Sequence, residues 1–194
     1  RNVCDNELFE LGKTSLTLWP QLLLQLKEGS GKSIPYGRNG SLVVAHQADQ
    51  SELRQFQQEM SAFGLLGDDT AHAVNHSQIQ QLEPGVNREF QQGFFLPQEM
   101  HLDNRALLPL LHSEAEKLGV EFRFDCEVSD ETLLQQAEQC LVLDCRGVGA
   151  KKALCNDDLQ LRGVRGEVCW IETAEVKISR PIRLLHPRYH LYLV

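Results

Sequence analysis

Leu141-Val-Leu-Asp-Cys-Arg-Gly-Val-Gly-Ala150 joins an apolar run, Cys140–Cys145, directly to a bend that holds Gly147 and Gly149. Continuous apolar runs suit strands covered on both faces, as in an α/β sheet. Glycines just after a strand let the main chain approach a ligand, because no Cβ intervenes. The full dinucleotide fingerprint asks for a third glycine, and that place holds Lys152. The spacing alone leaves a cofactor contact and an ordinary strand-to-helix turn equally open.

Upstream, apolar positions recur at helical spacing through residues 4–28, and Gly29-Ser30-Gly31 closes that helix, with a kink allowed at Pro20. Tyr36 to Ala45 reads as a hairpin around Asn39-Gly40, the strongest two-residue turn signal. Asp49 caps a helix that runs to about Leu66. A strand at Val74 leads into a short helix capped by Ser77 and closed by Leu82-Glu-Pro-Gly85, and Phe94–Leu96 is a further strand. Asp103 opens a helix with Leu107, Leu108, Leu111, Ala115 and Leu118 on its inner stripe, and Gly119 ends it. Glu121–Val128 is a strand, with alternation clearest at its start, and Glu131–Gln139 is a short polar helix.

Beyond Lys152 the texture becomes strand-rich, with strands at Arg165–Ile171, Pro181–Leu185 and Tyr189–Val194 that pair antiparallel. The pattern predicts a mixed α/β and α+β chain of two interleaved domains. Residues 1–33 and 98–162 form part of one, and residues 34–97 and 163–194 form part of the other. The chain starts at Arg1 and stops inside an apolar run, so it reads as an internal piece of a longer protein, incomplete at both ends.

The 194 residues carry a net charge of -8, which disfavours a phosphate backbone as partner. No apolar run approaches the roughly 20 residues that cross a bilayer. The six cysteines form no CxxC pair and read as free, buried, small hydrophobes in a reducing cytoplasm. His72 and His76, like His186 and His190, stand four apart, but neither pair lies on a clear helix and no third ligand completes a metal site. No GxSxG, HExxH or P-loop is present. Cations and aromatics cluster at Arg180-Pro-Ile-Arg183 and His186-Pro-Arg-Tyr189. On the last strand Tyr192 faces away from Leu191 and Leu193, either toward a cavity or as a half-buried tyrosine on a pleated surface.

Gly163-Val-Arg-Gly-Glu167 and Arg180-Pro-Ile-Arg-Leu-Leu-His-Pro-Arg-Tyr-His-Leu-Tyr-Leu-Val194 together resemble the ThiO-type glycine oxidases of the D-amino acid oxidase family. Leu96–Leu108, Leu143–Ala150 and Leu11–Pro20 extend the likeness over nearly the whole chain. The resemblance implies an FAD-binding domain interleaved with a substrate domain on a large mixed or antiparallel sheet. It implies FAD-dependent oxidative deamination of glycine or a small amine acid, with oxygen as electron acceptor, as in thiamine synthesis. A sarcosine-type oxidase, an amino acid dehydrogenase and a non-catalytic domain derived from the fold are the alternatives.

By the same resemblance Tyr192 lies at the substrate site, Val128 meets the adenine through its backbone, and Arg146, Gly147 and Gly149 form the turn beside the flavin nucleotide. Arg165 and Glu167 are structural, and no catalytic residue is carried over. The family's GxGxxG strand and its carboxylate-binding arginine have no counterpart here. Residues 1–194 alone are therefore expected to hold no FAD tightly and to be inactive. The expected partners are a small amino acid or amine and oxygen, with self-association through exposed apolar surface, and no nucleic acid or metal. The whole assignment requires that Tyr192 and the Arg146–Gly149 bend border a common cleft.

Overall fold

The computed structural model describes residues 3–150 and 162–194. These fall into two compact units, residues 3–120 with 173–194, and residues 121–150 with 162–172.

In the larger unit the chain begins with helix α1, Val3–Ser30. This helix runs through Pro20 and ends at Gly31, whose φ of 70° suits a residue without a side chain and whose N–H donates to the Lys27 carbonyl. Strand β1, Tyr36–Gly37, is followed by β2, Ser41–Ala45. A short 3-10 turn, Gln47–Asp49, leads to α2, Gln50–Ala62. Strand β3, His72–Asn75, α3, His76–Leu82, β4, Gln92–Leu96, and β5, His101–Leu102, come next. Helix α4 spans Asn104–Lys117, and strands β6, Ile182–His186, and β7, Tyr189–Leu193, close the unit.

The main sheet has the order β3-β4-β2-β6-β7, and a separate ribbon joins β1 to β5. Three of the four contacts in the main sheet are antiparallel, while β2 and β6 run parallel with Leu42 opposite Ile182. The sheet is therefore mixed, and the tail is not antiparallel throughout.

Its central strand, β2, is buried along its whole length. One face packs Leu42, Val44 and Ile182 with Val74, Ile79, Val86 and Phe90, beneath α3. The other packs Val43, Ala45, Phe94 and Leu185 with Leu53, Phe56 and Met60 of α2. A third core lies between α1 and α4, where Leu23 and Leu26 meet Leu107 and Leu110, with Ile34 and Leu102 beside them.

Several local expectations hold. Asp103 caps α4, its carboxylate accepting from the N–H groups of Arg105 and Ala106, and Gly119 leaves the helix at φ 87°. Others change. Tyr36–Gly37 and Ser41–Ala45 do not form a hairpin: β1 pairs with β5, and β2 pairs with β4 and β6. Asn39-Gly40 is instead the corner at which the chain leaves the ribbon for the sheet. The α3 cap is Asn75 rather than Ser77, in a reciprocal capping box with Gln78. Asp49 precedes α2 but makes no side-chain cap. On α4 the buried stripe is Leu107 and Leu110 with Leu111 partly covered; Leu108 faces out because one residue is more than a quarter turn around the helix from Leu107, and Leu118 is exposed at the C-cap, one residue past the helix.

The smaller unit holds helix α5, Asp130–Ala137, capped by Ser129, and a short 3-10 turn at Gly147–Ala150. The strands expected at Glu121–Val128, Cys140–Cys145 and Arg165–Ile171 are not formed. Apolar composition favours a strand only where a neighbour completes its hydrogen-bond ladder, and no described residue pairs with these segments. Leu141 and Leu143 are consequently 85% and 77% exposed rather than covered on both faces. The same exposure overturns the buried-cysteine expectation, since Cys126, Cys140, Cys145 and Cys169 are free and exposed. Lys152, Cys155 and the Asp157-Asp158 pair lie outside the described residues.

Candidate functional site

In the smaller unit the Arg146 bend is held by charge. Asp144 accepts from the Arg146 backbone N–H at 3.0 Å, from its Nε at 2.9 Å and from its Nη2 at 2.7 Å. The same Nη2 donates to Asp130 at 2.8 Å. Arg146 thus ties the bend to the first residue of α5, two positions from Val128, so two of the segments assigned to the cofactor side are physically linked. Val128 itself is 37% exposed and lies in the loop before the Ser129 cap, not at the end of a strand.

Gly147 has φ 58°, and nothing stands within 4 Å of where its Cβ would be. Gly149 donates its N–H to the Arg146 carbonyl at 3.1 Å. The bend therefore presents bare main chain that a planar or sugar group can approach, while the Arg146 charge is already matched by two carboxylates. Arg146 shapes the turn and is not a free phosphate receptor.

Hydrogen bonds from Arg146, first from its side chain and then from its backbone, pull the Asp144 carboxyl down to about 2 from an ordinary 3.8. The lowered value means that the clasp stabilises the fold above its ordinary range and is lost as pH falls through about 2. A carboxyl-carbon NMR titration of Asp144 is expected to show a midpoint near 2, and a midpoint at the ordinary value would mean that the clasp is absent in solution.

In the larger unit Tyr192 stands on the edge strand β7, directly opposite Arg183 of β6. The Arg183 guanidinium lies 5.1 Å from the centre of the Tyr192 ring. The α2 helix covers this face as far as Leu185, but Tyr192 remains 57% exposed. Leu191 and Leu193 are also part exposed, so the strand is not packed on its other side as the alternation implied. Arg183 is the residue that carry-over from the resemblance missed. The signal was the cluster Arg180-Pro-Ile-Arg183, and the cross-strand register turns it into a partner for Tyr192. Arg165 and Glu167 pair with each other at 2.6 Å on an exposed segment.

Tyr192 and the Arg146 bend fall in separate units. Among the described residues no group of His, Cys, Asp or Glu is placed to hold a metal ion, and no helix is long and apolar enough to cross a membrane.

Residues 3–194 match the family of FAD dependent oxidoreductases known as DAO. The chain belongs to that family.

A Rhizobium etli protein whose name reads putative thiamine biosynthesis oxidoreductase ThiO is 38% identical over 157 residues, 81% of this chain and 43% of its own length. A bifunctional ThiO/ThiG protein of Trichormus variabilis is 27% identical over 71% of this chain and 20% of its own. The chain thus spans less than half of either relative. Among solved structures, a glycine oxidase from Bacillus cereus superposes with a TM-score of 0.52 at 20% identity, over 64% of this chain and 36% of that one. That likeness establishes the fold as part of the DAO-type architecture of mixed α/β content.

The family's cofactor is FAD. The open main chain at Gly147 fits one wall of a nucleotide site. The sequence has no GxGxxG to set a pyrophosphate on a helix N-terminus, so the residues present can supply only part of the cofactor's surroundings.

Proposed function

We propose that the protein containing this chain oxidises glycine or a similarly small amino acid, taking up oxygen and water and releasing a keto acid, ammonia and hydrogen peroxide, in the service of thiamine synthesis. The observation that carries this reading is the exposed Tyr192 held beside Arg183 on a sheet face that α2 leaves open. A phenol next to a cation suits a small carboxylate, and the 38% identity to the Rhizobium etli relative supports the reaction class.

Residues 34–97 and 163–194 would contribute to the substrate domain, and residues 1–33 and 98–162 to the FAD domain. The packing of α1 against α4, in a core that also takes in Ile34, supports grouping the first helix with residues 98–120. Val128, Gly147 and Gly149 would border the nucleotide through their main chains, and Arg146, clasped by Asp130 and Asp144, would keep that bend in shape. When bound, FAD supplies the acceptor for the two electrons of the substrate Cα–H bond. What this chain's own residues do is bind and orient: Tyr192 donates its phenol hydrogen to the substrate carboxylate.

The test is peroxide release by the holoenzyme from the complete reading frame, with glycine, sarcosine, a D-amino acid and L-proline compared. Glycine or sarcosine is expected to be the best substrate, and Tyr192→Phe is expected to raise KM about tenfold through loss of one hydrogen bond to a charged group. Residues 1–194 alone are expected to purify without the yellow absorbance of FAD. The absence of peroxide with every amino acid offered would end the oxidase reading.

A further inference from the structure

We propose that Arg183 is a positioning residue for substrate recognition, acting through Tyr192: it fixes the orientation of the phenol ring on the open face of the β6–β7 pair. The proposal rests on the reading of Tyr192 as a substrate contact and adds a residue to it.

Register comes first. Arg183 and Tyr192 are directly opposed partners in an antiparallel ladder, so their side chains leave the sheet on the same face. Tyr192 lies on an edge strand, with no strand beyond it among the described residues. An exposed tyrosine on an edge has several rotamers open to it, and a group that must present one oxygen to a small substrate loses affinity with each of them.

The Arg183 guanidinium removes that freedom. It stands 5.1 Å from the ring centre, within the range where a cation is attracted to an aromatic face. Its Nε is buried and has no hydrogen-bond partner among the described residues. Arg183 also forms no ion pair among them, in contrast to Arg146, which is spent on two carboxylates, and Arg180, which stands beside Glu83. Its interaction with the Tyr192 ring is therefore the contact that defines where its head group sits. On the sheet side the position is rigid: the neighbours of Arg183 along the same face are Leu185 on its own strand and Val43 across the parallel ladder, 7% and 1% exposed. A cation anchored on a packed floor can hold an exposed ring, and the reverse arrangement could not.

A lysine at 183 would keep the charge but not the planar head group, which stacks on a ring with a defined orientation. This gives the proposal a signature that a general structural role would not produce. In the holoenzyme Arg183→Met is expected to raise KM for the amino acid about tenfold with kcat within about twofold, the pattern of lost ground-state binding, and Arg183→Lys to recover only part of it. With 3-fluorotyrosine incorporated, the Tyr192 fluorine signal, assigned by its loss in Tyr192→Phe, is expected to move toward the free amino acid value in Arg183→Met and partway back in Arg183→Lys.

The outcomes separate. If Tyr192→Ala leaves KM unchanged, the reading of Tyr192 as a substrate contact falls and this proposal falls with it. If Tyr192→Ala impairs binding while Arg183→Met changes neither KM nor the fluorine signal, the proposal alone is overturned. If Arg183→Met unfolds the protein, Arg183→Lys, which keeps the aliphatic stem and the charge, decides by the same two readings.

Discussion

Gly40→Ala is expected to be among the most destabilising single-methyl additions in the larger unit, costing about 3 kcal/mol from roughly 1–2 for a left-handed residue with a side chain and a similar sum for overpacking. Gly40 has φ 74°, and a Cβ there would stand 2.6 Å from the Phe95 ring and 2.7 Å from the Leu96 carbonyl oxygen. The ring could swing aside, but the carbonyl belongs to β4, which pairs with β2 from Ser41 onward, and cannot move without loosening that ladder. Gly64 supplies the control. Its φ is 69°, with nothing within 4 Å of a Cβ, so Gly64→Ala carries the conformational cost without the clash. Urea denaturation of the two variants should separate by about 2 kcal/mol, the cost assigned to overpacking. Equal losses would show that the corner relaxes freely and that the close approach of Phe95 and Leu96 does not hold it.

That corner also marks the limit of what the sequence discloses. Asn39-Gly40 carries the strongest short-range hairpin signal, and the backbone does turn there with positive φ at Gly40. What the dipeptide cannot state is which strands the two arms will join. Tyr36–Gly37 finds His101–Leu102, and Ser41–Ala45 finds both β4 and β6, the latter about 140 residues away. Turn chemistry is local, whereas ladder partners are set by tertiary packing. Some helix ends fared better for the same reason: Asp103 and Gly119 are specified within a few residues of themselves, whereas Asp49 and Ser77 are not the caps their sequence suggests.

The clearest inversion concerns two apolar runs. Cys140-Leu-Val-Leu and Ser41-Leu-Val-Val-Ala45 look alike in sequence, yet the first is exposed and unpaired and the second is the buried centre of a sheet. Hydrophobicity states a demand for cover and not its source. The candidate site was legible in the same partial way. The chain does bend at Gly147 and Gly149, but the strand expected before the bend is not formed, and Asp144 and Asp130, which give Arg146 its structural task, become visible only once α5 is folded. Glu83 was hidden inside Leu82-Glu-Pro-Gly85, where it reads as an ordinary turn residue.

Glu83→Ala is expected to lose about 3–5 kcal/mol, the cost of leaving one member of a buried ion pair without its partner. Glu83 is 1% exposed and its Oε2 accepts from the Ser179 N–H at 2.7 Å and from the Ser179 hydroxyl at 2.8 Å. The Arg180 Nε lies 3.8 Å away, too far for a hydrogen bond but close enough for charge, and with side chains 13% and 2% exposed the pair is little screened by water. Arg180 is held further by its Nη1, which donates to the Asn39 carbonyl at 2.6 Å, and by the Phe95 ring, 5.5 Å from its guanidinium carbon. Beside it, a Cβ on Gly85 would stand 2.6 Å from the Lys177 carbonyl oxygen, so the two chain segments are in backbone contact. This clamp delivers the chain to Pro181, whose carbonyl accepts from Leu42 N–H, and so starts β6 in register against β2. Glu83→Gln keeps an acceptor but leaves Arg180 uncompensated and should cost about 1–3 kcal/mol, while Ser179→Ala, which removes one hydroxyl, should cost about 1 kcal/mol. Denaturation midpoints in that order would support the clamp, and a double-mutant cycle between Glu83 and Arg180 would isolate the charge contribution. Replacing both at once, as Glu83→Leu with Arg180→Met, should recover part of the loss, because no buried charge is then left alone. A Glu83→Ala variant as stable as the parent would mean that the register of β6 is set by the Leu42–Ile182 core instead, and the position of Arg183 would then owe nothing to the clamp.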